Sequence, residues 1–282
     1  MGAPMVRRHL DAGFKVRIWN RSAEKAQPLA AEGATLCQTP AEAAAGASHL
    51  VTMLTDGPAV EAVLFELGAA DALGAGATVI DMSSIRPGEA RTHSAHLAGR
   101  GIHHLDAPVS GGTRGAKAGT LAIMAGGGET VFVAAKAVLA PLGRAVRVGP
   151  SGAGQLAKLA NQAIVGIAIG AVAEATLLVA EGSGDLAAFR EALKGGFADS
   201  SVLQQHGRRM QEMDFAPGGS AAVQLKDLDN VLAEARALGL RLPLVEAVRD
   251  RYAAMIARRA DAAGLDHSAL FLDLLDLNGR SA

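Results

Sequence analysis

The feature that most constrains this chain is a change of rhythm near its middle. Up to about residue 150, short apolar runs alternate with helical patterns. "KVRIWN" (15–20), "HLVTML" (49–54), "ATVIDMSS" (77–84), "GIHHLDAPV" (101–109), "TLAIMAGG" (120–127) and "AVRVG" (145–149) read as strands, with helical stretches near 23–32, 58–66, 87–99 and 129–140 between them. Strands that alternate with helices pair through right-handed crossovers into a mainly parallel, doubly wound sheet. From Gly152 onward no strand pattern is convincing. Helical patterns cover 154–181, 185–194, 201–213, 221–238, 243–259 and 266–276, and Gly182, Gly195, Gly239 and Gly264 stand near their ends, as helix stops do. The expected fold class is α/β, with a doubly wound sheet domain over 1–150 and an all-α domain over 151–282.

The opening stretch, "MGAPMVRRHLDAGFKVRIWNRS", sharpens this. Pro4 is tolerated in a first helical turn, Met5, Val6, His9 and Leu10 make one face, and Gly13 stops the helix before a strand that ends in Asn20-Arg21-Ser22. That order matches the second part of a Rossmann dinucleotide-binding unit: third glycine, helix, second strand, then the ribose-reading position. The first strand and the first two glycines of G-x-G-x-x-G are not among the 282 residues. The expectation is a natural polypeptide carrying about ten to fifteen more residues ahead of Met1, enough for one strand and a glycine turn. At the end of "KVRIWN" there is no Asp or Glu to accept from a ribose 2′-OH. Arg21 offers a planar fork to a 2′-phosphate, with Asn20 and Ser22 beside it, which favours NADP over NAD while leaving NAD possible.

Composition excludes several classes. Lys and Arg number 27 against 28 Asp and Glu, so no basic excess exists for nucleic acid or an anionic membrane. One cysteine, Cys37, excludes an internal disulfide framework and fits a reducing cytoplasm. "AIVGIAIGAVAEATLLVA" (163–180) approaches membrane-spanning length, but Glu174 interrupts it; a buried helix at the centre of a soluble domain is the expectation. No metal site is expected. His93 and His96 fall on a helix, His103 and His104 alternate on a strand, and neither Cys-x-x-Cys nor His-Glu-x-x-His occurs.

Two blocks carry chemistry. In "DAPVSGGTRGAKAGTLAIMAGG" (106–127) a strand ends in a Ser-Gly-Gly turn; Ser110, Gly111 and Gly112 can present a hydroxyl and closely approaching amides to an anion, or simply form a glycine-rich hairpin. In "GPSGAGQLAKLANQ" (149–162) Lys158, Asn161 and Gln162 are spaced i, i+3, i+4 on one face of the long helix. A lysine on a helix otherwise rich in Ala, Leu and Ile either snorkels at the surface or points into a cleft.

With "MGAPM" (1–5), D-x-P-V-S-G-G at 106–112 and G-x-G-x-x-x-K-x-x-N at 152–161, essentially the whole chain resembles the β-hydroxyacid dehydrogenase family. The resemblance implies a dinucleotide on the first domain and a small hydroxyacid or semialdehyde in a cleft with the second. It implies Lys158 as the catalytic residue, Ser110, Gly111 and Gly112 as carboxylate binders, and Asn161 and Gln162 as substrate contacts. Met1 and Gly2 stand for the end of the phosphate fingerprint. Leu54 and Thr55 fall where relatives carry Leu-Pro on a cofactor-side loop. Ser84 falls near the nicotinamide ribose, with helix capping as its ordinary alternative. Lys226 matches a family lysine that reaches the cofactor or active site, with an exposed helix charge as its alternative. Gly219 replaces an aromatic common in relatives.

The Lys-x-x-Asn-Gln form, "LKDLDNVL" (225–232), "LPL" (242–244) and "DHSAL" (266–270) are similar to the tartronate semialdehyde reductase branch. 3-Hydroxyisobutyrate, succinic semialdehyde and glyoxylate stay open as substrates, and a non-catalytic cofactor-binding scaffold stays open as a different class. Imine reductases share the architecture but usually replace the lysine. The long apolar helix suits packing into a homodimer or homotetramer.

Overall fold

The computed structural model describes residues 1–280. The chain divides into two compact units, Met1–Lys158 and Leu159–Ala282.

The first unit opens with α1 (Gly2–Asp11), ended by Gly13 in the left-handed region (φ 82°), a conformation that costs a side-chain-bearing residue but not glycine. There follow β1 (Arg17–Ile18), α2 (Ala23–Ala31), β2 (Thr35–Leu36) and α3 (Pro40–Ala44). Next come β3 (His49–Thr52), α4 (Gly57–Glu61), β4 (Thr78–Asp81), α5 (Pro87–Ala98), β5 (His103–Asp106) and β6 (Val109–Ser110). The unit is completed by α6 (Gly112–Ala118), β7 (Leu121–Gly127), α7 (Glu129–Leu139) and β8 (Gly143–Gly149).

Among the described residues these strands make two sheets rather than one. β1 and β2 pair in parallel as a separate ribbon. The larger sheet runs β3-β4-β5-β7-β6, with β8 on β7. Its β3-β4-β5 portion is parallel, β7 runs antiparallel to β5 and β6, and β8 returns parallel to β7. The mainly parallel reading therefore holds for one side of the sheet only. β2 and α3 escape the sequence pattern because each is very short.

The Ser-Gly-Gly turn leads from β6 into α6, entered through Gly111 (φ 125°) and Gly112 (φ 58°) and left through Gly119 (φ 69°), before the chain returns antiparallel as β7. Glycines at these three positions make a short helix between two strands sterically possible.

α1 is held firmly to this unit. Met5 is buried in the core that contains Ile80, Leu105, Leu121, Ile123 and Leu139. The His9 ring bonds the Val138 carbonyl at 2.8 Å, and Arg8 donates to the Pro141 carbonyl at 3.2 Å.

α8 (Ala153–Glu181) spans the division between the units. The second unit continues with α9 (Leu186–Leu193), α10 (Arg208–Glu212), α11 (Ala221–Ala237), α12 (Pro243–Arg258) and α13 (Leu270–Leu277). No strand is assigned there among the described residues. Its core gathers Ile169, Met210, Leu228, Tyr252, Met255 and Leu270. At Gly166 an added Cβ would lie 2.9 Å from Gln224 Nε2 and 3.1 Å from Leu228, so glycine sets how closely α8 and α11 approach.

One expectation is overturned in α8. Only 28% of its most apolar 18-residue window is buried, and Ile164 (69%) and Leu178 (76%) are largely exposed. The helix is long and apolar enough to cross a membrane by length and composition, and it is not the buried centre of its unit.

Candidate active site

In a sheet of this kind, ligands collect where the parallel strands end. β4 and β5 pair in register to their last residues, Asp81 against Asp106, so the segments after them leave from the same edge. Both terminal carboxylates are fully buried, an arrangement that needs a reason.

Asp106 anchors the start of α8. Its Oδ1 accepts from the Gly152 amide at 2.8 Å and its Oδ2 from the Gln155 amide at 2.9 Å. Burial pushes its pKa up and these amides pull it down, the amide of Gly154 contributing as well. A carboxylate taking the orphan amides of a helix start also opposes the positive end of the helix dipole. The approach is so close that a Cβ on Gly154 would collide with the carbonyl oxygens of Asp106 and Met124. A Cβ on Gly126 would lie 2.6 Å from Asp106 Oδ1. Gly154 is thus explained by the close approach of Asp106, and Gly152 by its positive φ of 86°.

Gln155 makes the second tie. Its Nε2 donates to the Ser83 carbonyl at 2.8 Å, and its Oε1 accepts from the Ile85 amide at 3.1 Å. Asp81 organises the same loop from below: Oδ1 accepts from Thr52 Oγ1 at 2.7 Å and from the Ser83 amide at 3.0 Å. Ser83 Oγ accepts from the Leu54 amide at 2.9 Å. Desolvation raises the Asp81 pKa to about 6, against partial relief from Ser83 and Thr52, and its Oδ2 is buried without a hydrogen-bond partner. The loops after β3 and β4 and the first turn of α8 are therefore bound into one network.

Lys158 lies one turn beyond Gln155, half-buried, on the helix that this network fixes. β5 leads through Ala107 and Pro108 to Ser110, which is half-buried, and to the exposed Gly111 and Gly112. Ser84 is half-buried in the loop tied to Gln155. It does not cap α5: the N-cap there is Arg86, whose amide donates to Glu89 Oε2 at 2.8 Å.

Gly2, Asn20 and Leu54 line one cavity of about 820 Å³ in this unit. Asn20 donates to the Ser22 carbonyl at 2.8 Å, Ser22 is the N-cap residue of α2, and Arg21 between them is exposed. Gly2 has no atom within 4 Å of where a Cβ would sit, Thr55 is exposed, and Met1 is the N-cap residue of α1. These positions fit a dinucleotide: open backbone at a helix start, a guanidinium at a strand end, and a loop set by Ser83.

In the second unit, Gln162 donates from Nε2 to Asp227 Oδ2 at 2.7 Å and accepts from Asn161 Nδ2 at 2.8 Å. Lys226 Nζ lies 3.6 Å from Asp227 Oδ1. Asp227 is buried and holds both neighbours. Sequence reasoning placed Asp106 and Asp227 in family motifs without an anchoring role and passed over Gln155, Asp81 and Ser83. The one available signal was an acidic residue at the end of two successive strand patterns.

His206, Asp266 and His267 come within coordinating distance of one another. Asp266, however, is already engaged by the amides of Gly218, Gly219 and Ser268, by Ser268 Oγ and by Arg209, so it serves to tie down the loop before α11.

The fold and its similarity to known proteins place the chain among nicotinamide-dinucleotide-dependent oxidoreductases. Residues 1–149 match the family model described as the NAD binding domain of 6-phosphogluconate dehydrogenase. Residues 152–273 match that described as the NAD-binding of NADP-dependent 3-hydroxyisobutyrate dehydrogenase. The chain is 39% identical over 272 residues to 2-hydroxy-3-oxopropionate reductase of Escherichia coli (strain K12), covering 96% of this chain and 92% of that one. It is 33% identical to 3-hydroxyisobutyrate dehydrogenase of Pseudomonas aeruginosa, covering 96% and 94%. The structure of Mycobacterium tuberculosis 3-hydroxyisobutyrate dehydrogenase with L-serine superposes with a TM-score of 0.88 at 32% identity, covering 97% and 95%. The chain belongs to the β-hydroxyacid dehydrogenase family, whose members act on hydroxyacids with NAD(P).

Proposed function

We propose that this enzyme reduces tartronate semialdehyde (2-hydroxy-3-oxopropionate) to glycerate with NADPH, and that Lys158 handles the proton. The observation that carries the reading is the double anchoring of the α8 start, by Asp106 and by Gln155, which fixes the helix bearing Lys158 at the edge where β4 and β5 end. The 39% identity to the E. coli reductase supports the choice of substrate over the 3-hydroxyisobutyrate reading.

The dinucleotide, when bound, supplies the hydride that reduces the aldehyde carbon. Lys158, as an ammonium, holds its proton at the carbonyl oxygen, stabilises the negative charge that develops there and transfers the proton to it. Ser110 Oγ and the amides of Gly111 and Gly112 hold the substrate carboxylate. Asn161 and Gln162 sit one turn further along the same helix and orient the substrate hydroxyl, with Asp227 fixing the Gln162 amide. Met1, Gly2, Asn20, Arg21, Ser22, Leu54, Thr55, Ser84 and Lys226 serve the cofactor, Arg21 reading the 2′-phosphate. The exposed apolar residues of α8 pack against a second copy, making a homodimer or homotetramer, and the enzyme works in the cytoplasm.

Steady-state rates on tartronate semialdehyde, succinic semialdehyde and glyoxylate with NADPH or NADH, and on 3-hydroxyisobutyrate with NADP+ or NAD+, test the assignment. The highest kcat/KM is expected for tartronate semialdehyde with NADPH. A higher value for 3-hydroxyisobutyrate would replace the substrate, and no turnover of any would contradict the enzyme reading.

A further inference from the structure

Four polar side chains of the second unit are linked in line. Gln162 stands on α8, Gln224 on α11, His267 just ahead of α13 and His206 just ahead of α10. Gln224 Nε2 donates to the Gln162 carbonyl at 3.2 Å. Gln224 Oε1 lies 3.3 Å from His267 Nδ1, and His267 Nε2 lies 3.2 Å from His206 Nε2. At the far end His206 Nδ1 faces Asp266 Oδ1 at 3.6 Å. His206, Gln224 and Asp266 are buried and His267 is half-buried. Polar groups so placed are costly unless each finds its partner.

The direction of the chain follows from its ends. A carbonyl only accepts, so the Gln224 nitrogen must face Gln162 and its oxygen must face His267. That places a proton on His267 Nδ1. A neutral imidazole then has a bare Nε2, which accepts from His206 Nε2–H. Burial and the neighbouring His206 lower the His267 pKa to about 4, so this ring is neutral near pH 7. The Asp266 carboxylate, itself held by Arg209, favours a proton on the other His206 nitrogen. Each link thus has one donor and one acceptor.

α8 is shaped to receive this chain. A helix carbonyl has a second lone pair beyond the one used by the amide four residues on. Gly166, one turn past Gln162, leaves the space that Gln224 Nε2 occupies; a Cβ there would lie 2.9 Å from it. The side chain of the same Gln162 donates to Asp227 at 2.7 Å, so backbone and amide of this one residue are held from two directions.

We propose that His267 is a positioning residue: through Gln224 it holds the Gln162 carbonyl, and with it the turn of α8 that aims the Gln162 amide at the substrate. His206 and Asp266 set the His267 tautomer. The role rests on the reading of Gln162 as a substrate contact.

Ring-nitrogen NMR of the intact protein with isotope-labelled histidine reads the chain without turnover. His267 is expected to carry its proton on Nδ1, with Nε2 bare. The carbonyl shift of Gln162 is expected to move in Gln224→Met and in His267→Leu, which break the chain. It should stay native in His267→Asn, whose amide N–H can stand in for Nδ1. In steady-state assays Gln224→Met and His267→Leu should each raise the KM for tartronate semialdehyde about fivefold, the scale of one neutral hydrogen bond, with the NADPH Kd unchanged. The double variant should be no worse than either single one, because both break one chain. His267→Asn should restore the native KM. A proton on His267 Nε2, a transition metal bound stoichiometrically between the two rings, effects that multiply in the double variant, or a His267→Asn as impaired as His267→Leu would overturn the proposal. So would an equal loss of NADPH affinity, which marks general loosening. Absence of turnover in the native protein would overturn the function proposed above, and the ring proton and the carbonyl shift would still decide the chain.

Discussion

Asp81 is the residue whose chemistry reaches furthest. Its carboxyl is buried, half-satisfied, and titrates at about 6 in the fold against 3.8 in an unfolded chain. Between those values the folded chain holds the extra proton, so this group makes stability fall as pH rises from 3.8 to about 6. Asp81→Asn keeps one acceptor for Thr52 and Ser83 and removes the charge. Urea midpoints measured across that range should lose part of their downward slope, a change of up to about 3 kcal/mol at neutral pH. An unaltered slope would mean that Asp81 does not titrate there. Arg21, by contrast, is proposed to act on specificity. Arg21→Asp is expected to lower the ratio of kcat/KM for NADPH over NADH by about tenfold or more, since each lost charge-assisted bond to the phosphate is worth about 1.5–3 kcal/mol. An unchanged ratio would place phosphate recognition elsewhere. Lys158, Ser110 and Asn161 stand out in the sequence because they match family patterns, and their roles are proposals. Asp106 and Gln155 were not legible as anchors, since a carboxylate that caps a helix 46 residues away leaves no local periodicity.

Among the elements, α8 differs most along its length. Its first turn is built for close approach: Gly154 gives up a side chain where Asp106 and Met124 come near, and Gly152 takes a positive φ (86°) beside Pro87 and Arg91. Gly154→Ala would drive a methyl into the carbonyls of Asp106 and Met124, backbone that cannot swing aside. A loss of about 1–3 kcal/mol in unfolding free energy is expected, with kcat falling more than cofactor affinity because the lysine-bearing turn is displaced. Native-like stability and kcat in this variant would contradict the anchoring. Further along, Ile164 and Leu178 present apolar side chains to the outside of the unit. The sequence pattern showed a long apolar helix but not which of its faces is covered, because it is rich in Ala and Gly and its apolar character extends around the helix. If α8 is an assembly face, Leu178→Glu should move sedimentation toward monomer; a wild-type profile for the variant would exclude that face.

At the scale of the molecule, the two-part plan was legible from the loss of strand pattern near residue 150, and most helices fall within a residue or two of their patterns. What was not legible was pairing. The separation of β1-β2 from the larger sheet, and the antiparallel run of β7, depend on contacts between distant segments that no local pattern encodes. The proposed β-hydroxyacid chemistry rests on how this frame delivers one amine, that of Lys158. Turnover of tartronate semialdehyde by Lys158→Ala, set beside NADPH binding followed by nicotinamide fluorescence, tests that most directly. The account predicts a fall in kcat of about 10²–10⁴-fold with the NADPH Kd nearly unchanged; a kcat within a few-fold of the native enzyme would contradict it.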